Sequence, residues 1–264
     1  MGKVIVITSG KGGVGKTTTT ANIGTGLAQK GKSVVLIDAD IGLRNLDLVL
    51  GLENRVVYDL VDVVEGDCRV KQALIKDKRF ENLYLLAAAQ TKDKSAVSPE
   101  QMIKLCSQLV DEFDYIIIDC PAGIEQGFKN AIAGAHHAIV VVNPEMSSVR
   151  DADRIIGLLQ TSDIENIQLV LNRLRPEMTK RDEMLGLEDV VDILAIDVLG
   201  VVPDDTEIIK TTNRGDTAVM VNSSRAGASY RNIVDRMLNP KVPMLEVKEE
   251  AGLMAKLKKI FSRG

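Results

Sequence analysis

The chain has 264 residues, of which 45% are apolar and 27% charged, with a formal net charge of −4. That balance suits one large soluble domain with a sizeable core and gives no global pull toward nucleic acid or anionic lipid. Aromatic residues at 3% with no Trp argue against a base-stacking platform. Cys68, Cys106 and Cys120, widely spaced and without a CxxC pair, argue against a disulfide framework or a metal cluster within one chain.

At the N-terminus, charged Lys3 leads straight into a strand-like run, which is no signal-peptide pattern. No apolar stretch approaches the ~20 residues that span a bilayer, so a cytoplasmic location is expected. Val4–Thr8 is the first of a series of short β-branched apolar runs. It is followed by Ser33–Asp38, Leu83–Ala87, Tyr115–Asp119, Ala138–Asn143, Ile167–Asn172 and Val198–Pro203. Each is continuously hydrophobic rather than alternating, the pattern of a strand covered on both faces. Helix-length segments separate them. The chain therefore predicts an α/β fold, a mostly parallel twisted sheet flanked by helices on both faces with right-handed crossovers.

Directly after the first run, residues 10–17 read Gly-Lys-Gly-Gly-Val-Gly-Lys-Thr, with a predicted helix running on through Thr17–Lys30. Strand, glycine-rich loop and helix in that order satisfy the context a P-loop requires. Glycines let backbone N–H groups converge on phosphate oxygens, and the helix N-terminus adds its dipole. The expected nucleotide-binding set is Gly10, Lys11, Gly12, Gly13, Val14, Gly15, Lys16, Thr17 and Thr18. Lys16 reaches the β/γ-phosphates and the Thr17 hydroxyl ligates Mg²⁺. Lys11 is an extra lysine that an ordinary P-loop does not need. It is either a solvated surface residue or a cation placed to neutralise phosphate charge across a dimer interface, as an arginine finger does.

The second strand ends in Ile37-Asp38-Ala39-Asp40, at the carboxyl edge where open α/β sheets bind ligands. Asp40 is the candidate for positioning the attacking water, and Asp38 for the magnesium shell. Tyr115-Ile-Ile-Ile-Asp119 followed by Cys-Pro-Ala-Gly123 has the Walker B arrangement, with Asp119 on Mg²⁺ and Gly123 in a loop able to respond to the γ-phosphate. The site residues Lys11, Lys16 and Asp40 are the catalytic candidates. His136 and His137 lack a Cys or carboxylate partner at metal spacing and read as structural.

The Lys11-containing loop matches the deviant Walker A signature of the MinD/ParA family of P-loop ATPases. The resemblance covers nearly the whole chain and is strongest to the septum-site-determining branch. Ile41–Gly51, Arg55–Leu60, Gln72–Lys78, Cys120–Glu125 and Asn143–Asp151 carry it; Cys120 stands where Ser or Thr is more familiar. The resemblance implies a Mg²⁺-dependent ATPase that is a homodimer when ATP-bound and helps to place the division septum. It implies a MinC-like division inhibitor and a MinE-like activator of hydrolysis as partners, with Asn143–Arg154 in a nucleotide-sensitive partner surface. It also places Asn172, whose residue type alone reads equally as a strand end, and the loop at Pro203 beside the adenine.

Near the end, Asn239-Pro240-Lys241-Val242-Pro243 stops a helix and favours extended chain. The reading is an ATPase domain over 1–238, a linker over 239–251 and an amphipathic helix over 252–264. At about 100° per residue, Leu253, Met254, Leu257, Ile260 and Phe261 fall within an arc of roughly 120°. Lys256, Lys258, Lys259 and Arg263 lie outside it. An apolar stripe opposed by cations suits an anionic membrane surface, so the expectation is a peripheral protein of the inner face of the cell membrane when ATP-bound. The alternatives are a ParA-type DNA-segregation ATPase, for which a basic surface is needed, and a flagellar-number regulator of the same ATPase group.

Overall fold

All the strands expected from the apolar runs are present, within two residues at each end, in the computed structural model, which describes residues 1–248. The chain opens β1 (Lys3–Thr8), α1 (Lys16–Gln29), β2 (Val34–Asp38), α2 (Leu46–Leu50), α3 (Leu60–Glu65) and α4 (Val70–Ala73). It continues β3 (Ile75–Lys76), β4 (Leu83–Leu86), α5 (Pro99–Leu109), β5 (Tyr115–Asp119), α6 (Gln126–Ile132) and β6 (His137–Val142). The last third is α7 (Met146–Gln160), β7 (Asn166–Leu174), α8 (Pro176–Thr179), α9 (Leu187–Leu194), β8 (Asp197–Pro203), α10 (Thr206–Thr212) and α11 (Arg225–Leu238).

The strands form one sheet in the order β3-β4-β2-β5-β1-β6-β7-β8. Its pairings are parallel except that of β3 with β4. Successive strand side chains point to opposite faces. Val4 and Val6 thus join a core with α5, α6, α7 and α9, whereas Ile5 and Ile7 join one with α1, α2 and α11. Burial on both faces is why the runs carry no polar alternation. β1 lies between β5 and β6, and the winding direction reverses there. That reversal opens a crevice at the carboxyl ends of the strands, the place for a ligand in such sheets.

The two-residue β3 is too short to leave a periodic signal, and the sequence reading misses it. It leads to a buried ion pair that ties three loops together. Arg79 donates from Nε to Asp77 Oδ1 at 3.1 Å and from Nη2 to Asp77 Oδ2 at 2.7 Å. Its Nη1 reaches Asp216 Oδ1 at 2.6 Å and the Gly215 carbonyl at 3.0 Å, and Nη2 reaches the Leu50 carbonyl at 3.2 Å. Burial would raise the Asp77 carboxyl, yet its bonds to Arg79 hold it below its ordinary range.

Residues 239–248 have no regular structure, but they run back along α11. Arg236 Nη1 donates to the Val242 carbonyl and Asn232 Nδ2 to the Pro243 carbonyl, both at 3.0 Å. The Leu245 N–H reaches Asn232 Oδ1 at 2.8 Å, and Arg225 Nη2 reaches the Lys248 carbonyl at 3.1 Å. The expected membrane helix, with Leu253, Met254, Leu257, Ile260 and Phe261, lies outside the described residues. Among those residues no helix is long and apolar enough to cross a membrane.

The Arg79 clamp makes a stability prediction. Arg79→Met strands the Asp77 carboxylate, whose side chain is 0% exposed, and should cost about 3 kcal/mol or more. Urea denaturation should also find that Asp77→Asn added to Arg79→Met recovers part of the loss; a single variant of parental stability contradicts the clamp.

Candidate nucleotide-binding site

β1 delivers the chain to residues 9–15, and α1 starts at Lys16. Two glycines in the loop are dictated by geometry. A Cβ on Gly10 lies 2.3 Å from the backbone of Asp151 in α7, so the loop passes beneath that helix only without a side chain. Gly15, the residue before α1, has φ 102°, and a Cβ there lies 2.4 Å from Asn172 Nδ2. No side chain caps the N-terminus of α1. Its first N–H groups, which lack partners within the helix, are therefore available to an anion. Lys16 is only 8% exposed, and its charge helps to lower the pKa of Asp119.

Two carboxylates stand behind the loop. Parallel pairing of β2 with β5 puts Asp38 in register with Asp119, and both are buried. Burial, then repulsion from Asp38, pushes the Asp119 carboxyl up to about 7, against hydrogen bonds from Thr17 and Thr20 and the charge of Lys16. The Thr20 hydroxyl donates to Asp119 Oδ1 at 3.2 Å. Burial likewise raises Asp38 to about 6, opposed by the N–H groups of Leu46, Asp40 and Asn45. Those three bonds, at 3.0–3.1 Å, occupy both Asp38 oxygens and hold the turn that carries Asp40. The Asp40 carbonyl closes the turn by accepting from Leu43 at 3.0 Å and Arg44 at 3.1 Å.

The other residues sort by position. Lys11 sits on the rim, its Nζ 3.3 Å from Ser147 Oγ and 3.7 Å from Glu145 Oε2, with its side chain 46% exposed. Asn172 donates from Nδ2 to the Val14 carbonyl at 2.7 Å, so it braces the phosphate loop. Next to it Arg173 has φ 60° at a bulge in β7. Asn172 and Pro203 line a cavity of about 400 Å³ together with Gly15, Thr18 and Tyr230, large enough for a planar base beside the loop. Cys120 follows Asp119 and is buried, its thiol pushed up to about 12, which leaves it unreactive. His137 begins β6 at the opposite edge of the sheet from the loop, and His136 serves there through its backbone.

Sequence reasoning missed Arg173 and Tyr230. Tyr230 comes from α11, where its hydroxyl meets Thr19 Oγ1 at 3.1 Å; in sequence it looks like any core aromatic. The residues present fit a magnesium nucleotide: a cradle too tight for side chains, a nearly buried lysine, a threonine hydroxyl opening the helix and a buried carboxylate bonded to it.

Residues 5–219 match the family model of the CobQ/CobB/MinD/ParA nucleotide binding domain. The chain is 58% identical over 264 residues to the septum site-determining protein MinD of Bacillus subtilis, covering 99% of this chain and 98% of the relative. It belongs to the MinD family. Among solved structures, the MinC:MinD cell division protein complex of Aquifex aeolicus contains a chain 48% identical, with a TM-score of 0.87 over 93% of this chain and 100% of that one. MinD from Pyrococcus horikoshii, solved with Mg-ADP, is 31% identical with a TM-score of 0.83, over 91% of this chain and 97% of that one. As a MinD family member, the chain is a nucleotide-binding ATPase of septum site determination.

The paired carboxylates set a pH dependence. Asp119 has an ordinary value of 3.8 and a folded value of about 7, so the native chain holds the extra proton within that window. Stability then falls as pH rises through it, by about 1.4 kcal/mol per pH unit for each proton. With nucleotide and magnesium chelated away, Asp119→Asn should melt above the parent at pH 8, with the gain vanishing toward pH 4. A gain independent of pH contradicts the assignment.

Proposed function

We propose that this chain is a Mg²⁺-dependent ATPase that dimerises around ATP. In that form it would hold paired C-terminal helices on the anionic inner face of the cell membrane and recruit a MinC-like division inhibitor there to position the septum. The observation that carries the reading is Lys11. A second lysine on the rim, gripped among the described residues by Glu145 and Ser147 and half exposed, has the reach and charge to serve a phosphate on a second copy rather than its own. The MinC:MinD complex formed by a relative 48% identical supports the inhibitor as partner.

In this reading the loop N–H groups and Lys16 bind and orient the triphosphate. Thr17 and Asp119 hold Mg²⁺, which when bound neutralises charge on the phosphate oxygens. Asp40 positions the attacking water, and Asp38 keeps Asp40 in place through its three backbone bonds. Asn172 both braces Val14 and lines the base cavity with Pro203. A MinE-like activator would raise hydrolysis by acting on the Asn143–Arg154 segment. The acidic net charge gives the DNA-segregation alternative no support.

The membrane part rests on the sequence of residues 252–264. A helix of about three turns is a weak and reversible anchor alone, whereas two anchors on one dimer act together and raise avidity by about 10²-fold or more. Hydrolysis separates the copies and releases the protein. Removing residues 252–264 should abolish ATP-dependent co-sedimentation with phosphatidylglycerol vesicles while leaving nucleotide affinity unchanged. Asp40→Ala should keep ATP-dependent vesicle binding but lower turnover by about 10²-fold. Unchanged vesicle binding by the shortened chain would sink the anchor.

A further inference from the structure

α1 carries the Lys16 and Thr17 side chains of the nucleotide site, and α11 seats it at three points. At the end far from the phosphate loop, Lys30 Nζ pairs with Asp235 Oδ1 at 2.6 Å, both side chains half exposed. Midway, Gly26 brings the two helices so close that a Cβ there lies 2.8 Å from Val234 Cγ2. An apolar seat of that kind fixes distance but not direction. The contact at the phosphate end is directional. Tyr230 is 0% exposed, and its hydroxyl meets Thr19 Oγ1 at 3.1 Å. Burying a phenol hydroxyl is costly without such a partner, whereas Phe would bury the same ring at no such cost. Thr25 and Ser229, on the same two helices, have buried hydroxyls with no hydrogen-bond partner among the described residues. The bonded pair is the one beside the nucleotide site.

At about 100° per residue, Thr17 and Thr20 share one side of α1, and Thr19 stands roughly opposite Thr17. On the first side the Thr20 hydroxyl donates to Asp119 Oδ1 at 3.2 Å, and Thr17 bonds the same carboxylate. On the other side stands Tyr230. The first turns of α1 are therefore held from two directions, which fixes the rotation of the helix about its axis. The next residue of α11 adds to the grip. Arg231 Nη1 donates to the carbonyls of Val219 at 2.7 Å and Val221 at 3.3 Å. The Val219 N–H in turn donates to Asn22 Oδ1, and Asn22 Nδ2 to the Thr18 carbonyl, both at 2.8 Å. Tyr230 and Arg231 thus hold Thr19 and Thr18, and Thr18 and Tyr230 both line the base cavity. Burial pushes the Tyr230 phenol up to about 12, so the hydroxyl keeps its proton at neutral pH.

We infer that Tyr230 is a positioning residue for the magnesium nucleotide: through Thr19 it fixes the rotation of α1 that sets the Thr17 hydroxyl against Asp119. Its hydroxyl is spent on Thr19 and serves the nucleotide only through α1. Without that bond α1 is gripped from the Asp119 side alone, and the two oxygens that must act together on one cation lose their fixed separation. The phosphate loop keeps its shape, because Gly10 beneath α7 and the bond from Asn172 to Val14 set it independently. The loss therefore falls on the part of nucleotide binding that magnesium supplies. The inference rests on the reading of Thr17 and Asp119 as the magnesium ligands.

The test titrates the full chain with a fluorescent ADP, once in Mg²⁺ and once in EDTA, for the parent, Tyr230→Phe, Thr19→Val and the double variant. Each single variant should weaken binding in Mg²⁺ by about tenfold, the effect of a buried hydroxyl stripped of its partner, while changing it by less than about twofold in EDTA. The double variant should bind in Mg²⁺ no more weakly than either single one, because the two hydroxyls act through one bond. A role in packing alone would lower the melting temperature of Tyr230→Phe and leave its Mg²⁺-to-EDTA affinity ratio at the parental value; that result overturns the inference. Losses that add in the double variant also overturn it, by separating Tyr230 from Thr19. Asp119→Asn tests the underlying reading and should abolish the tightening by Mg²⁺. If Asp119→Asn keeps that tightening, the magnesium assignment fails instead, and the comparison of single and double variants still judges the tie between Tyr230 and Thr19.

Discussion

Pairing of β2 with β5 in parallel register forces the carboxylates of Asp38 and Asp119 to stand side by side in the interior, and the site is organised around that repulsion. Buried like charges raise each other's affinity for a proton or a cation. Here the opposition comes from different sources on the two sides. Three backbone N–H groups of the Asp40 turn satisfy Asp38, while hydroxyls of α1 and the Lys16 charge attend Asp119. One carboxylate is thereby committed to shaping the chain, and the other is left with a demand for positive charge beside the phosphate loop. A cation delivered with a nucleotide relieves a strain that the fold itself creates.

α7 is the second organising element. Its Asp151 backbone leaves room only for glycine at position 10, and the start of the helix supplies Ser147 to Lys11, with Glu145 just before it. Met146 in the same turn lines a groove with Arg173, Arg175 and acidic residues of the α8–α9 segment. Phosphate loop, rim lysine and groove therefore share one helix end.

Much of this was legible in the chain. Val4–Thr8 and Tyr115–Asp119 read as buried strands because apolar residues fill both of their faces, and the P-loop reads because its glycines, lysine and threonine each answer a need of the phosphate. Asp38 and Asp119 could be named as strand ends. Their adjacency could not, since it depends on β5 pairing with β2 across 80 intervening residues. β3 and the Arg79 clamp were illegible for the same kind of reason. Two strand residues leave no period, and a buried arginine is indistinguishable in sequence from a solvated one.

By itself, then, the sequence determined which chemistry is present: a phosphate cradle, an extra lysine, three acidic strand-end groups and a basic amphipathic terminus. These are local matters, set by residue type and spacing along one segment. The tertiary structure decided how the groups share the work. It gave Asp38 to the Asp40 turn, Asn172 to the Val14 carbonyl, and Lys11 to Glu145 and Ser147, because hydrogen bonds go to whichever groups the packed sheet and helices bring within about 3 Å. That distance is a property of the assembled layers, and no spacing along the chain encodes it.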